Sequence, residues 1–369
     1  MKAFILEAPG RAGFADMPLP ELKNEYGAIL RPIAMSVCTS DVNTVYGSGS
    51  KKPDRLILGH EAVALVARTG SEVRDFKEGD IVAVPSMTPD WRNPSVQEGN
   101  CLHAGSPFSS VALGRSISGV FAEYFMIEDA DTTLAKLPPG VGVDDALMCV
   151  DMVTTGFRGA EAADIRFGDT VLVLGIGAIG LMAIAGASLR GAGRIIAVGS
   201  REVSISLARK YGATEVISYK DRDIAAYVKE ATKGQGADAV LICGGGDQTL
   251  GIAYEACRYG IGRIVNLKHF AGEGEMGIPK FHAGRGMGGK TFYTELGMGG
   301  RRRLERLMEL VRCGRISPGE LITHRFEGFE HLELALELMR DKKNTVIKTK
   351  VVPEWGIAYQ LPCKEGERI

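Results

Sequence analysis

The sequence predicts an α/β protein in two parts, a β-rich domain followed by a doubly wound parallel sheet. Three observations carry that reading. The first 150 or so residues are short β-branched runs divided by Gly and Pro. From about Asp169 strands alternate with long amphipathic helices. Between one apolar strand and the next helix stands Gly175-Ile176-Gly177-Ala178-Ile179-Gly180. At 369 residues the chain exceeds what one core usually serves, since domains cluster at about 100–200 residues. With 45% hydrophobic and 24% charged residues, the composition is that of a globular protein and not of a disordered or fibrous one.

In chain order, the strand candidates of the first half are AILRPIAMSV (28–37), EAVALVARTG (61–70), GDIVAVP (79–85) and GVFAEYFMI (119–127). Turn formers follow them, as at Gly70, Gly79-Asp80 and Pro85, so tight connections without helices or parallel crossovers are expected there. In the second half, TVLVLG, RIIAVGS, EVISY and ADAVLIC read as strands, with GLMAIAGASLRGA and VSISLARKYGA as intervening helices. After Gly300, RRRLERLMELVRCGR is a charged helix, and ELITHRFEGFEHLELALELMRD begins as a strand and ends as a helix. VIKTKVV (346–352) is expected to close the chain as a strand. No repeat of 20–50 residues is present, which removes solenoids and propellers.

The 44 basic and 45 acidic residues, net charge -1, provide no basic face for neutralising phosphates, so nucleic acid is not an expected partner. MKAFILEAPG lacks a signal-peptide pattern, and the later apolar stretches are interrupted by Gly or charge. A soluble, cytoplasmic protein without a membrane partner is expected. The seven cysteines are odd in number and not closely paired, and they read as reduced thiols.

Gly175, Gly177 and Gly180 have the spacing of a dinucleotide fingerprint. Gly175 permits the tight turn, Gly177 admits a pyrophosphate to the backbone N–H groups, and Gly180 allows close packing of helix on strand. Ala178 and Ile179 open the helix whose N-terminus faces the anion. About 20 residues on, an NAD site would place an acid for the ribose hydroxyls, but the second strand ends Val198-Gly199-Ser200-Arg201. Gly199 leaves room, and Ser200 and Arg201 offer a donor and a fork-shaped cation for a 2′-phosphate, with Tyr219 at the end of the next strand as a further contact. NADP(H) is therefore favoured over NAD. The plainer alternative makes Ser200 a helix cap and Arg201 a solvated first-turn residue.

Candidate metal ligands lie far apart: Cys38 in VCTSDVN, His60 and Glu61 in LGHEAV, and Asp151 in CVDMVTTG. A catalytic zinc takes three protein ligands and keeps one position open. Each residue also has a bland reading, Cys38 as a small buried hydrophobe, His60 as a turn residue and Asp151 as the N-cap of the helix that follows. Spacing alone leaves these alternatives open.

GHE (59–61), SEVRDFKEGDIVAV (71–84) and GIGAIG (175–180) together resemble the zinc-containing medium-chain alcohol dehydrogenases. VCTSD (37–41), LGHEAV (58–63), TPDWR (88–92), DMVTTGF (151–157) and GAGRIIAVGSR (191–201) resemble, more narrowly, the NADP-dependent secondary alcohol (isopropanol) dehydrogenases of bacteria and protozoa. The likeness runs from about residue 1 to about residue 352. It implies a GroES-like catalytic domain of residues 1–151 and 298–369 and a Rossmann cofactor domain of residues 152–297, with zinc and nicotinamide held between them. It further implies Cys38, His60 and Asp151 as ligands of one catalytic zinc, with Glu61 as an acid that joins the metal in the resting site. Ser40 would accept the proton of a small alcohol while hydride passes to the nicotinamide, and Thr154 would contact the nicotinamide side. A homotetramer is implied as well. The four-Cys lobe that holds a structural zinc in larger relatives has only Cys101 and His103 as counterparts here, so no structural zinc is expected.

Three residues depart from the branch. Asn43 replaces a His that relays the proton outward, Val111 and Leu113 stand where a bulky Trp narrows the pocket, and Ala64 replaces a near-constant Gly. Two competing readings keep the fold. A zinc-free quinone or enone reductase would lack the Cys and His ligands, and a non-enzymatic NADPH-binding protein would have an eroded ligand set; Cys38, His60 and Asp151 are all present.

Overall fold

The computed structural model describes residues 1–47, 53–104, 106, 108–268, 287–342 and 345–360. The chain forms two compact units, Met1–Thr154 together with Met298 onward, and Thr155–Gly297.

The first unit opens with the hairpin β1 (Lys2–Ala8) and β2 (Arg11–Asp16). β3 (Ala28–Met35), β4 (Ala62–Thr69), β5 (Ile81–Val84) and β7 (Ala135–Lys136) follow as an antiparallel run, and the short β6 (Phe125–Ile127) pairs with β3. Of the run GVFAEYFMI only the last three residues are strand. Its first part packs on the turn before His60 instead, with Gly119 N–H donating to the Ile57 carbonyl and Phe121 N–H to that of Leu58. The connection from β3 to β4 is not a tight turn, because helix Thr39–Tyr46 occupies it. Asp41 starts that helix by accepting the Cys38 N–H at 2.8 Å, satisfying a donor that a helix N-terminus otherwise leaves open.

The second unit is a six-stranded parallel sheet of β8 (Thr170–Leu174), β9 (Arg194–Val198), β10 (Glu215–Ile217), β11 (Ala239–Ile242), β12 (Arg263–Asn266) and β13 (Thr291–Thr294). Its order is β10-β9-β8-β11-β12-β13. β8 and β11 are buried almost throughout, as strands covered by helices on both faces must be. The order reverses direction beside β8, and such a switch point places a ligand crevice at the carboxyl ends of the strands.

The chain then returns to the first unit with helix Arg301–Arg312, β14 (Ile322–Glu327), helix Leu332–Asp341 and β15 (Lys348–Val352). β14 and β15 are parallel, and β15 joins β3, giving the sheet order β14-β15-β3-β4-β5-β7. Phe4, Leu30, Met35, Phe121, Leu134 and Leu336 belong to its apolar core, and burying each such side chain stabilises the fold by about 1.5–3 kcal/mol. β15 does not end the described chain. A 3₁₀ segment, Glu354–Tyr359, lies against β3, with Trp355 Nε1 donating to Pro32 O at 2.8 Å and Gln360 Nε2 to Ile33 O at 2.9 Å. Among the described residues no helix is long and apolar enough to cross a membrane.

Candidate metal centre and dinucleotide turn

Cys38, His60, Glu61 and Asp151, spread over more than 110 positions of sequence, converge so that one donor atom of each lies within 4.8 Å of the others. Cys38 sits where β3 turns into helix Thr39–Tyr46, and His60 and Glu61 stand just before β4. Gly59 makes their turn possible. Its φ is +88°, and a Cβ there would lie 2.3 Å from the Phe121 ring. Asp151 is not an N-cap. It lies in a π-helical turn, Cys149–Val153, that joins helices Val143–Met148 and Thr154–Ala162 into one rod. Cys149 belongs to the same rod, fully buried, with burial holding its thiol far above the usual range.

The donors face one another closely. His60 Nε2 is 3.7 Å from Asp151 Oδ2 and 3.8 Å from Glu61 Oε1, and Cys38 Sγ is 3.7 Å from Asp151 Oδ2. Ser40 Oγ lies 3.1 Å from His60 Nε2.

Two further residues organise this group and escaped the reading of the sequence. Asp41 Oδ1 sits 3.2 Å from His60 Nδ1, so the ring can donate from Nδ1 and keep the Nε2 lone pair for a metal. An acid three residues after a candidate ligand, at a helix start, was the available signal. Lys348 on β15 is 1% exposed, and its Nζ is 2.7 Å from Glu61 Oε1 and 3.2 Å from the Val37 carbonyl. Nothing local in VIKTKVV marks that lysine as part of a site.

Burial pushes the Glu61 carboxyl up to about 7; Lys348 opposes the rise and the charge of Asp151 adds to it. For Lys348, burial favours loss of the proton, but Glu61, Cys38 and Asp151 outweigh it and hold the amine protonated. Burial would likewise raise Asp151, yet the hydrogen bond and charge of His60 bring it well below the carboxylate range. The His60 imidazole stands above its ordinary value, since Asp41, Asp151 and Cys38 together overcome desolvation.

This set fits zinc. A thiolate, an imidazole and carboxylates are its usual ligands, and Glu61 Oε2 is buried with no hydrogen-bond partner, a lone pair pointing to an additional cation.

In the second unit, the three glycines divide their tasks as the spacing requires. Gly175 has φ +93° and its Cβ would meet the Gly244 backbone at 2.7 Å, while a Cβ on Gly180 would lie 1.9 Å from the Gly175 carbonyl oxygen. Around Gly177, which caps helix Ala178–Leu189, a Cβ would meet nothing within 4 Å, leaving open space before the N–H groups of Ala178 and Ile179. Gly244 lies in a Gly-rich run after β11 that the sequence reading passed over. Gly199 follows β9 and is required for a second reason, since its Cβ would lie 2.1 Å from Ile176 Cγ1 in the fingerprint turn. Ser200 lies beyond it, and Arg201, not Ser200, is the N-cap of helix Glu202–Lys210, half-buried and without a side-chain capping bond. Tyr219 lies two residues past β10 and is 59% exposed.

Thr154 is fully enclosed, and its hydroxyl donates to the Met298 carbonyl at 2.7 Å. Leu113 is buried and Val111 half-buried, in the loop that packs on Gly59. Asn43 lies in helix Thr39–Tyr46, one turn past Ser40. Ala64 is enclosed in the middle of β4, opposite Pro32 and Val82, where Ala is favoured over Gly by backbone entropy.

Fold and donor set define a two-unit dehydrogenase of the metal-binding kind. Residues 24–139 match the alcohol dehydrogenase GroES-like domain and residues 178–311 the zinc-binding dehydrogenase domain. The chain belongs to the zinc-binding alcohol dehydrogenase family, in the branch of the NADP-dependent isopropanol dehydrogenases. It is 46% identical over 353 residues to the enzyme of that name from Thermoanaerobacter brockii, covering 95% of this chain and 99% of the relative. To the enzyme of the same name from Entamoeba histolytica it is 43% identical over 354 residues, 95% of each chain. Among solved structures, an alcohol dehydrogenase from Thermus sp. ATN1 superposes with a TM-score of 0.82 at 25% identity, covering 96% of this chain and all of the other.

Proposed function

We propose that this protein interconverts small secondary alcohols and their ketones with NADP(H), using one zinc per chain held by Cys38, His60 and Asp151. The convergence of Cys38, His60, Glu61 and Asp151 within 4.8 Å carries the reading. Zinc, when bound, supplies a Lewis acid that stabilises negative charge on the substrate oxygen. The remaining work falls to the protein. Cys38 and Asp151 would offset the two charges of the metal, and Lys348 offsets Glu61. Glu61 thereby has two partners available, the lysine at 2.7 Å and a metal, and would be a further donor to it in the resting site. Asp41 fixes the His60 ring. Ser40 accepts the hydroxyl proton of the alcohol and donates it back in ketone reduction. Asn43 cannot titrate near neutral pH, so that proton leaves by way of water or a ribose hydroxyl and not through a histidine at position 43. At the strand ends of the second unit, Gly177, Ala178 and Ile179 take the pyrophosphate, and Gly199, Ser200, Arg201 and Tyr219 take the 2′-phosphate. Thr154, its hydroxyl tied to Met298, shapes the nicotinamide side. The near-zero net charge speaks against a nucleic-acid partner, and the family resemblance supports a cytoplasmic homotetramer acting on small molecules. Metal analysis of the purified protein, combined with 2-propanol oxidation under NADP and NAD, tests the proposal. One zinc per subunit with turnover preferring NADP is the expected result; full turnover without metal would overturn it.

A further inference from the structure

The π-helical turn that carries Asp151 is held open from outside the rod. Such turns are rare and less stable than α-helix, and they persist where surrounding structure supports them, commonly at functional sites. Two supports are visible besides the bond from the Thr154 hydroxyl to the Met298 carbonyl. Ser86, just past β5, donates its N–H to the Val150 carbonyl at 3.1 Å. From helix Arg301–Arg312, Arg303 reaches Thr154 twice, Nε to Oγ1 at 3.2 Å and Nη2 to the carbonyl at 3.3 Å. Its neighbours do not touch the rod in the same way: Arg302 pairs with Glu305 on its own helix, and Arg301 pairs with Glu305 and with Asp75.

Thr154 is the link to the metal ligand, since its N–H donates to the Asp151 carbonyl at the end of the π turn. Were the turn to relax into regular α-helix, Asp151 would swing by one residue's rotation, roughly 100°, relative to the helix that follows. The carboxylate would then leave the donor set. We infer that Arg303 is a positioning residue for Asp151, gripping Thr154 by backbone and side chain so that the π turn keeps the carboxylate aimed at Cys38 and His60. This rests on the zinc site proposed above and adds to it a residue that touches neither metal nor substrate.

The test uses the purified full chain and two variants. Arg303→Met keeps the aliphatic stem and removes the fork, and Thr154→Val removes the hydroxyl that Arg303 holds. Zinc affinity is measured by competition with a chelator, the Co²⁺-substituted proteins are compared by their thiolate and d–d absorption bands, and NADPH affinity and Tm are recorded alongside. Arg303→Met is expected to lose zinc affinity by about 10–100-fold, the usual effect of removing support behind a ligand, with shifted cobalt bands and an unchanged NADPH Kd. Thr154→Val should shift the bands in the same direction by less, and it carries the test alone if Arg303→Met does not fold. Wild-type zinc affinity and cobalt bands in the variants, whatever happens to Tm, would overturn the inference while leaving the zinc site intact. A wild-type chain that binds no stoichiometric metal would overturn both.

Discussion

The unit that holds the donor set buries charge, whereas the dinucleotide unit relies on backbone. Asp41, His60, Glu61 and Lys348 are all less than a tenth exposed, and each depends on another for its protonation state or its hydrogen bond. Around the fingerprint of the second unit, the features that matter are glycines, open space and free N–H groups. Metal chemistry needs charged side chains taken out of water and balanced, while a pyrophosphate is satisfied by main-chain donors at a helix start. The two units should therefore fail differently when perturbed.

The largest contrast is expected from the metal ligands. Asp151→Ala, or chelation, should lower alcohol oxidation at least about a thousandfold, equivalent to roughly 4 kcal/mol of barrier, and leave the NADPH Kd within about twofold. Parallel loss of both would break the comparison, because it would mean that cofactor binding depends on the metal site.

Next comes the charge pair behind the ligands. Lys348→Met leaves Glu61 without its buried partner and should destabilise the protein by about 3 kcal/mol in denaturant unfolding. Adding Glu61→Gln removes the stranded charge, and much of that loss should return. Independent, additive losses would show that the pair is not coupled.

In the dinucleotide unit the corresponding single charge is Arg201. Arg201→Ala should cost about 1.5–3 kcal/mol in kcat/KM for NADP and much less for NAD, with no change in zinc content. Equal losses for the two cofactors would remove the 2′-phosphate assignment and, with it, the view that side-chain charge in this unit serves specificity alone.

The smallest effect concerns the pocket loop. With Val111 and Leu113 in place of aromatic bulk, each methylene added to the ketone is worth on the order of 1 kcal/mol, so kcat/KM should climb from acetone to longer ketones until the space is filled. A steady decline from acetone upward would mean that other side chains fill the space.

Legibility in the sequence followed the same division. The strand–turn–helix around Gly175–Gly180 could be read directly, because contiguous residues fix that geometry through their own backbone angles. The family resemblance rested on motifs of comparable locality. Where reading failed, a contact outside the pattern being read decided the outcome, local in two cases and distant in the third. Helix Thr39–Tyr46 was unexpected because turn residues dominate around it, yet Asp41 caps its start. Asp151 resembled an N-cap because a helical pattern begins after it, but the rod already runs through it from Val143. The segment after β15 has little strand or helix pattern of its own, and it is ordered by bonds to Pro32 and Ile33 more than 300 residues earlier.

The sequence by itself determined the two-part α/β class, the dinucleotide turn and the candidates Cys38, His60, Glu61 and Asp151, since periodicity, glycine spacing and residue chemistry are properties of short stretches. Only the tertiary structure decided that these four donors meet, that Asp41 turns the His60 ring, that Lys348 neutralises Glu61 from 287 residues away, and that Arg303 braces the turn of Asp151. The physical reason is that buried charges are tolerated only in pairs and networks, and which residues pair is set by the register of β3 with β15 and by the packing of helix Arg301–Arg312 on the rod, neither of which is written in any single stretch of the chain.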